Sequence, residues 1–188
     1  MNYIIDCGFS MGCFSHRRLK ALERQGEDLT NWTVHGFEPD NRWVLDPRME
    51  HILSWQGPTI NIHSAAVWTE DGRMRFYPCK SRSSSYLQGA VHKYLESGRN
   101  TSYEVDTVDL DRFIKELPDR ERVILKMDIE GGEFYVLPHI QANGSALLLE
   151  EVRIEYHARM NRKQWVPILK EVKEWWAAHP QILHGHRR

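Results

Sequence analysis

The residues able to do chemistry in this chain cluster where short apolar runs end. Tyr3-Ile4-Ile5 runs into Asp6-Cys7-Gly8-Phe9-Ser10-Met11-Gly12. Gly8 lets the chain turn without a Cβ, and Gly12 lets a helix and a ligand approach closely. The spacing is G-x-x-x-G rather than G-x-G-x-x-G, which argues against a nicotinamide enzyme; alone, the turn also fits a plain strand-to-helix loop. Phe37-Glu38-Pro39 closes a second apolar run, and a carboxylate there is placed to accept both hydroxyls of a ribose. By itself Glu38 also fits a solvated strand end. Taken together, the turn and the glutamate point to a bound nucleoside. A third end reads Lys126-Met127-Asp128-Ile129-Glu130-Gly131-Gly132-Glu133. Lys126 and Asp128 are two apart and share one face of their strand. Charges in a doubly covered strand are costly unless paired or at its mouth, so a structural pair and a functional site both fit.

The elements that must position these residues follow from hydrophobic period and turn residues. Strands are expected at 3–6, 33–38, 59–67, 74–77, 103–108, 123–128 and 152–157, with a last edge strand at 181–184. Helical patterns fall after Gly12, over 42–55 despite Pro47, over 110–117 and after Gly132. A long helix carries Trp165, Ile168, Leu169, Val172, Trp175 and Trp176 on one face, as core. Asp40 is placed as a helix cap. Residues 79–102 are polar and Ser-rich without a period, and Ser83–Tyr86 is expected to lie over a pocket and order with ligand. Strands alternating with helices imply an α/β sheet covered on both faces, with its ligand at the carboxyl ends of the strands.

Composition narrows the function classes. The chain has 188 residues, 41% hydrophobic, and a net charge of −1, enough for one domain over residues 1–188 with a real core. That charge balance argues against general nucleic-acid binding. No apolar run approaches the roughly 20 residues of a membrane span, and the N-terminus lacks a signal-peptide pattern, so a soluble cytoplasmic protein is expected. Cys7, Cys13 and Cys79 have no zinc-type pairing and read as reduced, buried thiols.

The segments IIDCGFSMG, GFEPD, SAAVW, VDTVDLDRF and LKMDIEGGEFYVL, in that order, resemble the FkbM-type family of S-adenosylmethionine-dependent methyltransferases. The last is the most specific, resembling a K-x-D-x-E-G-x-E-x-x-V-L block. The resemblance implies a Rossmann-like class I methyltransferase fold, a mostly parallel seven-stranded sheet with helices on both faces. It implies S-adenosylmethionine as cofactor and O-methylation of a hydroxyl on a small molecule or glycan. Its cofactor positions fall on Asp6, Gly8, Gly12, Glu38, Pro39 and Ala66. This chain departs from the family at Phe9-Ser10-Met11, where small and polar residues are common, and this is expected to alter cofactor affinity. It also begins almost on its first strand, without elements that often cap the substrate side.

On that reading the catalytic benefit comes from holding an oxygen about 3–3.5 Å from the methyl carbon and removing its proton. Asp128 is the best-placed carboxylate, with Lys126 beside it. His157 is the expected base, as a neutral imidazole of pKa about 6.5. Glu155 is expected beside them if the two strands are neighbours, and Asp128 with Glu155 suits a hard cation such as magnesium. Two other functions remain open: a non-catalytic Rossmann-like module, and an RNA ribose methyltransferase.

Overall fold

The computed structural model describes residues 1–44, 46–78, 86–87, 102–158 and 162–186. The main sheet has six parallel strands in the order β10 (Leu183–His186), β9 (Glu151–Ile154), β8 (Arg122–Met127), β1 (Asn2–Cys7), β2 (Trp32–Phe37) and β3 (Thr59–His63). A second sheet orders β4 (Ala65–Trp68), β7 (Tyr103–Asp109), β5 (Gly72–Tyr77) and β6 (Tyr86–Leu87), with β4 parallel to β7 and the other pairs antiparallel. The α/β class with a parallel central sheet holds. Among the described residues the main sheet has six strands rather than seven, and the other four strands form a separate sheet.

Alternation along β1 and β8 divides the interior into two cores. Tyr3, Ile5, Val123, Leu125 and Met127 face α4 (Leu110–Glu116), α5 (Glu133–Asn143) and α6 (Arg162–Ala178), and the second sheet adds Ala66, Val67 and Phe76 to this side. Ile4 and Ile124 point the other way, where Leu19 and Leu22 of α1 (Cys13–Arg24) and Ile52 of α3 (Glu50–Leu53) cover them. Helices therefore lie on both faces, and the apolar stripe of α6 is core. No helix among the described residues is long and apolar enough to cross a membrane.

Three expected elements differ. The strand read over 59–67 is broken at Ser64: β3 closes the edge of the main sheet, and β4 opens the second one. The helix read over 42–55 is two single turns, α2 (Asn41–Val44) and α3, separated by a 3-10 turn at Pro47–Met49, because Pro47 cannot donate within a helix. Asp40 does cap α2, accepting from the Arg42 N–H at 3.1 Å. The strand read over 152–157 ends at Ile154, leaving Glu155, Tyr156 and His157 in the loop beyond it. Most of the Ser-rich stretch, and Cys79, lie outside the described residues.

On the α4 side of β2 and β3, His35 and His63 share a ring-to-ring hydrogen bond of 3.0 Å. Phe37 and Phe113 pack around them. Burial, with the His63 ring adding to it, pushes His35 down to about 4, and burial lowers His63 too. An unfolded chain binds protons at both imidazoles below about pH 6.5, which the folded protein refuses. Stability should therefore fall as pH drops from about 6.5 toward 4. Urea midpoints at pH 7 and pH 5 test this: the drop should be smaller in His35→Gln, and an equal drop would exclude the pair as its source.

Candidate active site

The strand order reverses between β1 and β8, and the residues with chemical potential meet there. The register sets Asp6 beside Lys126 and Cys7 beside Met127, and β9 brings Ile154 beside Met127. Asp128 then donates its N–H to the Cys7 carbonyl at 3.1 Å, and Glu155 donates its N–H to the Met127 carbonyl at 2.9 Å. Asp128 and Glu155 are thus held side by side by backbone.

Lys126 is buried, and its ammonium donates to the Gly8 carbonyl at 2.7 Å and the Cys7 carbonyl at 3.3 Å. It pairs with Asp6 Oδ1 at 3.2 Å and with Asp128 Oδ2 at 3.8 Å. Ser15 of α1 donates to the other Asp6 oxygen at 2.7 Å. Burial would lower the Lys126 pKa, but Asp6 and Asp128 more than offset this and hold it above its ordinary value. The ammonium stays charged and fully occupied.

The first turn is held by constraints that its sequence only partly announces. Gly8 has φ +75°, and a Cβ there would sit 1.9 Å from the Asp128 carbonyl oxygen, so the two strand-end loops touch backbone to backbone. Ser10 is left-handed at φ 49° without being glycine, a strained conformation fixed by its surroundings. Its N–H donates to Glu38 Oε2 at 2.8 Å, while Asp40 donates its N–H to Oε1 at 2.9 Å. Phe9 is only 2% exposed, so the departure at this position is absorbed by the core beneath the turn. Its ring lies where a Cβ on Gly36 would be, at 2.4 Å.

Glu38 is buried with each oxygen anchored by one N–H, and each keeps a lone-pair direction for a hydroxyl donor. Burial pushes it up to about 7 against those hydrogen bonds.

The Gly131-Gly132 pair belongs to a second tight loop. A Cβ on Gly131 would meet the Trp165 ring of α6 at 2.5 Å. Glu130, just before it, is left-handed at φ 52°. Glu133, fully buried at the start of α5, accepts the Gly131 N–H at 2.8 Å with one oxygen. The other oxygen accepts the His157 N–H at 2.7 Å and contacts His157 Nδ1 at 3.0 Å. His157 Nε2 is thereby turned toward Glu130 at 3.4 Å, Asp128 at 3.7 Å and Glu155 at 4.0 Å.

A neutral imidazole of ordinary pKa is therefore not what the fold provides. Burial would lower His157, but its bond to Glu133 and the carboxylates of Glu133, Glu130 and Asp128 outweigh this and push it up to about 9. Burial pushes Glu130 up to about 7, opposed by the His157 charge and assisted by Asp128.

A cavity of about 340 Å³ opens between the two loops. Of the sequence-predicted residues, Gly8, Glu38, Pro39, Ala66, Lys126, Asp128 and Glu155 line it. Asp6, Gly12 and His157 stand behind the wall, where Asp6 holds Lys126 and Gly12 packs on the Phe9 ring. Glu130, Arg17 and Trp43 line the cavity without having been singled out, and Glu133 sets the imidazole from behind. Glu130 and Glu133 lie in the most distinctive segment of the sequence, and that was the available signal; Arg17 and Trp43 carry none. Cys7 is buried as expected, but Cys13 is exposed on the cavity wall, because it is the first residue of α1 at the mouth.

Ligand atoms of Asp128, Glu130 and His157 come within 4.8 Å of one another, so the set that could share a cation includes Glu130 and His157 alongside Asp128. Asp109, Asp111 and His139 form a comparable group. There Asp109 caps α4, and Asp111 is taken by Lys115 and the Ser145 N–H, which makes that group structural.

If Glu133 sets the charge of His157, its removal should release it. Glu133→Gln is expected to bring the His157 imidazole from about 9 down toward its ordinary value near 6.5, read by NMR titration of the ring. An unmoved titration would exclude Glu133 as the cause.

A family model described as a methyltransferase FkbM domain matches residues 20–184. No curated protein and no solved structure matches the chain. The matched segment holds Glu38, Ala66, Lys126, Asp128, Glu130, Glu133, Glu155 and His157. The first turn precedes it and is tied to the site through its contacts with Glu38 and Asp128. Family membership implies S-adenosylmethionine as methyl donor, and the cavity lining fits it by chemistry, with the buried Glu38 carboxylate near apolar side chains and further charged groups across from it. With the match covering well over half of the sequence, the chain belongs to the FkbM methyltransferase family.

Proposed function

We propose that the protein methylates a hydroxyl on a small molecule or glycan. The observation that carries this reading is one cavity with Glu38 at its β2 side and Asp128, Glu130 and Glu155 at its β8–β9 side. The first group accepts ribose hydroxyls, and the second accepts the hydrogen of an incoming hydroxyl. When bound, S-adenosylmethionine supplies an electrophilic methyl group on a sulfonium. Asp128 receives the acceptor's hydrogen bond and takes its proton, fixing the oxygen in line with the methyl carbon. His157, held charged by Glu133, balances the carboxylates around it. Lys126 is a positioning residue, because its ammonium is occupied by Gly8, Cys7 and Asp6.

A second reading has a divalent cation polarise the acceptor oxygen, and the convergence of Asp128, Glu130 and His157 favours it. His157 would then give up its proton to bind through Nε2, with Glu133 orienting it from Nδ1. A non-catalytic module is weighed by cofactor binding, since such a module has no need of a ribose-height carboxylate. RNA ribose methylation stays the weakest alternative, at a net charge of −1.

Ribose hydroxyls prefer the ionised form of Glu38, so affinity should decline as pH falls through about 7. Calorimetry with S-adenosylhomocysteine at pH 8 should show Glu38→Gln binding roughly 10–100-fold more weakly. The variant should also lack the decline between pH 8 and 6, and unchanged affinity would remove Glu38 from the site.

A panel of sugars and phenols, screened by mass spectrometry for methylated product, supplies the acceptor for the chemical test. Asp128→Asn should then lose most turnover while keeping S-adenosylhomocysteine affinity within about threefold. Loss of wild-type activity with a chelator, restored by magnesium, would select the cation reading. Full activity of Asp128→Asn would rule out both.

A further inference from the structure

Among the described residues the cavity wall carries two basic side chains, Lys126 and Arg17. Lys126 is taken. Arg17 projects from α1 one helical turn beyond Cys13, on the same side as Phe14, and is exposed. It makes no hydrogen bond or ion pair with any described residue, unlike its neighbour Arg18, which binds Glu151 at 2.7 Å across the sheet. Its guanidinium is therefore available to an anionic group of a ligand in the cavity.

With its ribose on Glu38, the chemistry of the lining favours one direction for the cofactor along this cavity. The wall beside Glu38 is apolar, formed by Pro39, Ala66, Val67 and Phe76, and suits a flat base. The amino-acid end must then extend the other way, over the first turn toward α1 and the ends of β8 and β9. The remaining charged groups there, Asp128, Glu130 and Glu155, are carboxylates. They favour a sulfonium and an ammonium and repel a carboxylate.

We infer that Arg17 binds the carboxylate of the cofactor's amino-acid end, an assignment that rests on this cavity being the S-adenosylmethionine site. It makes Arg17 a specificity residue: it distinguishes the intact cofactor from nucleosides that lack the carboxylate. The guanidinium presents two parallel N–H donors to the carboxylate oxygens, a geometry an ammonium cannot reproduce. Because the side chain is exposed, the interaction is screened by salt.

Calorimetry with three ligands tests it without any acceptor: S-adenosylhomocysteine, its decarboxylated analogue, and 5′-methylthioadenosine. The wild type should favour S-adenosylhomocysteine over the decarboxylated analogue. Arg17→Gln should weaken S-adenosylhomocysteine roughly tenfold and leave 5′-methylthioadenosine within about twofold. It should also flatten the salt dependence of S-adenosylhomocysteine binding, and Arg17→Lys should recover part of the loss. Equal weakening of all three ligands, or none of S-adenosylhomocysteine, overturns the assignment. A wild type that binds none of the three overturns the cofactor reading as well, and is distinguished by failing before any substitution is made.

Discussion

The ammonium of Lys126 stands where the end of β1, the turn after it and the end of β8 converge, and its contacts hold all three. An ion buried this deeply loses several kcal/mol of hydration, which only close partners offset. Here Asp6 supplies the charge and two carbonyls supply the geometry. Asp6 in turn bonds Ser15 of α1, so one buried pair ties the paired strand ends, the turn and the start of the helix together. Gly8 approaches the Asp128 carbonyl closely beside it, and Glu38 and the acidic loop line the same cavity.

Much of this arrangement was legible in the sequence. Asp6, Gly8, Glu38, Lys126 and Asp128 all terminate apolar runs, and in a parallel sheet such ends share one edge. The second sheet was not, because Thr59–Val67 carries no glycine or proline to mark the change of layer at Ser64. Glu155 and His157 follow β9 rather than lie within it, and they are placed by Glu133 and the Met127 carbonyl, which no periodicity announces. The charge of His157 could not be read from one dimension. It comes from carboxylates brought together by three separate segments.

Both loops that form the mouth carry a non-glycine residue in the left-handed region, Ser10 in one and Glu130 in the other. Each costs of order 1–3 kcal/mol and persists only where neighbours over-determine the backbone. Ser10 is held by its N–H bond to Glu38, and Glu130 by the Gly131 N–H bond to Glu133. A buried glutamate thus stabilises each strained turn. Together they keep the walls of the cavity set before a ligand arrives.

The socket beneath the first turn has a consequence for how the sequence can change. Phe9 occupies the volume that side chains at positions 36 and 12 would otherwise take, its ring within 2.4 and 2.7 Å of where their Cβ atoms would stand. Positions 9 and 36 are therefore sterically coupled, whereas Gly12 is also held by its left-handed φ of 67°. A lineage that shrinks residue 9 frees the strand at 36 to regain a side chain, whereas one that keeps phenylalanine is confined to glycine there. Among descendants of this chain, the identity of residue 36 should record the size of residue 9, although the two lie 27 positions apart.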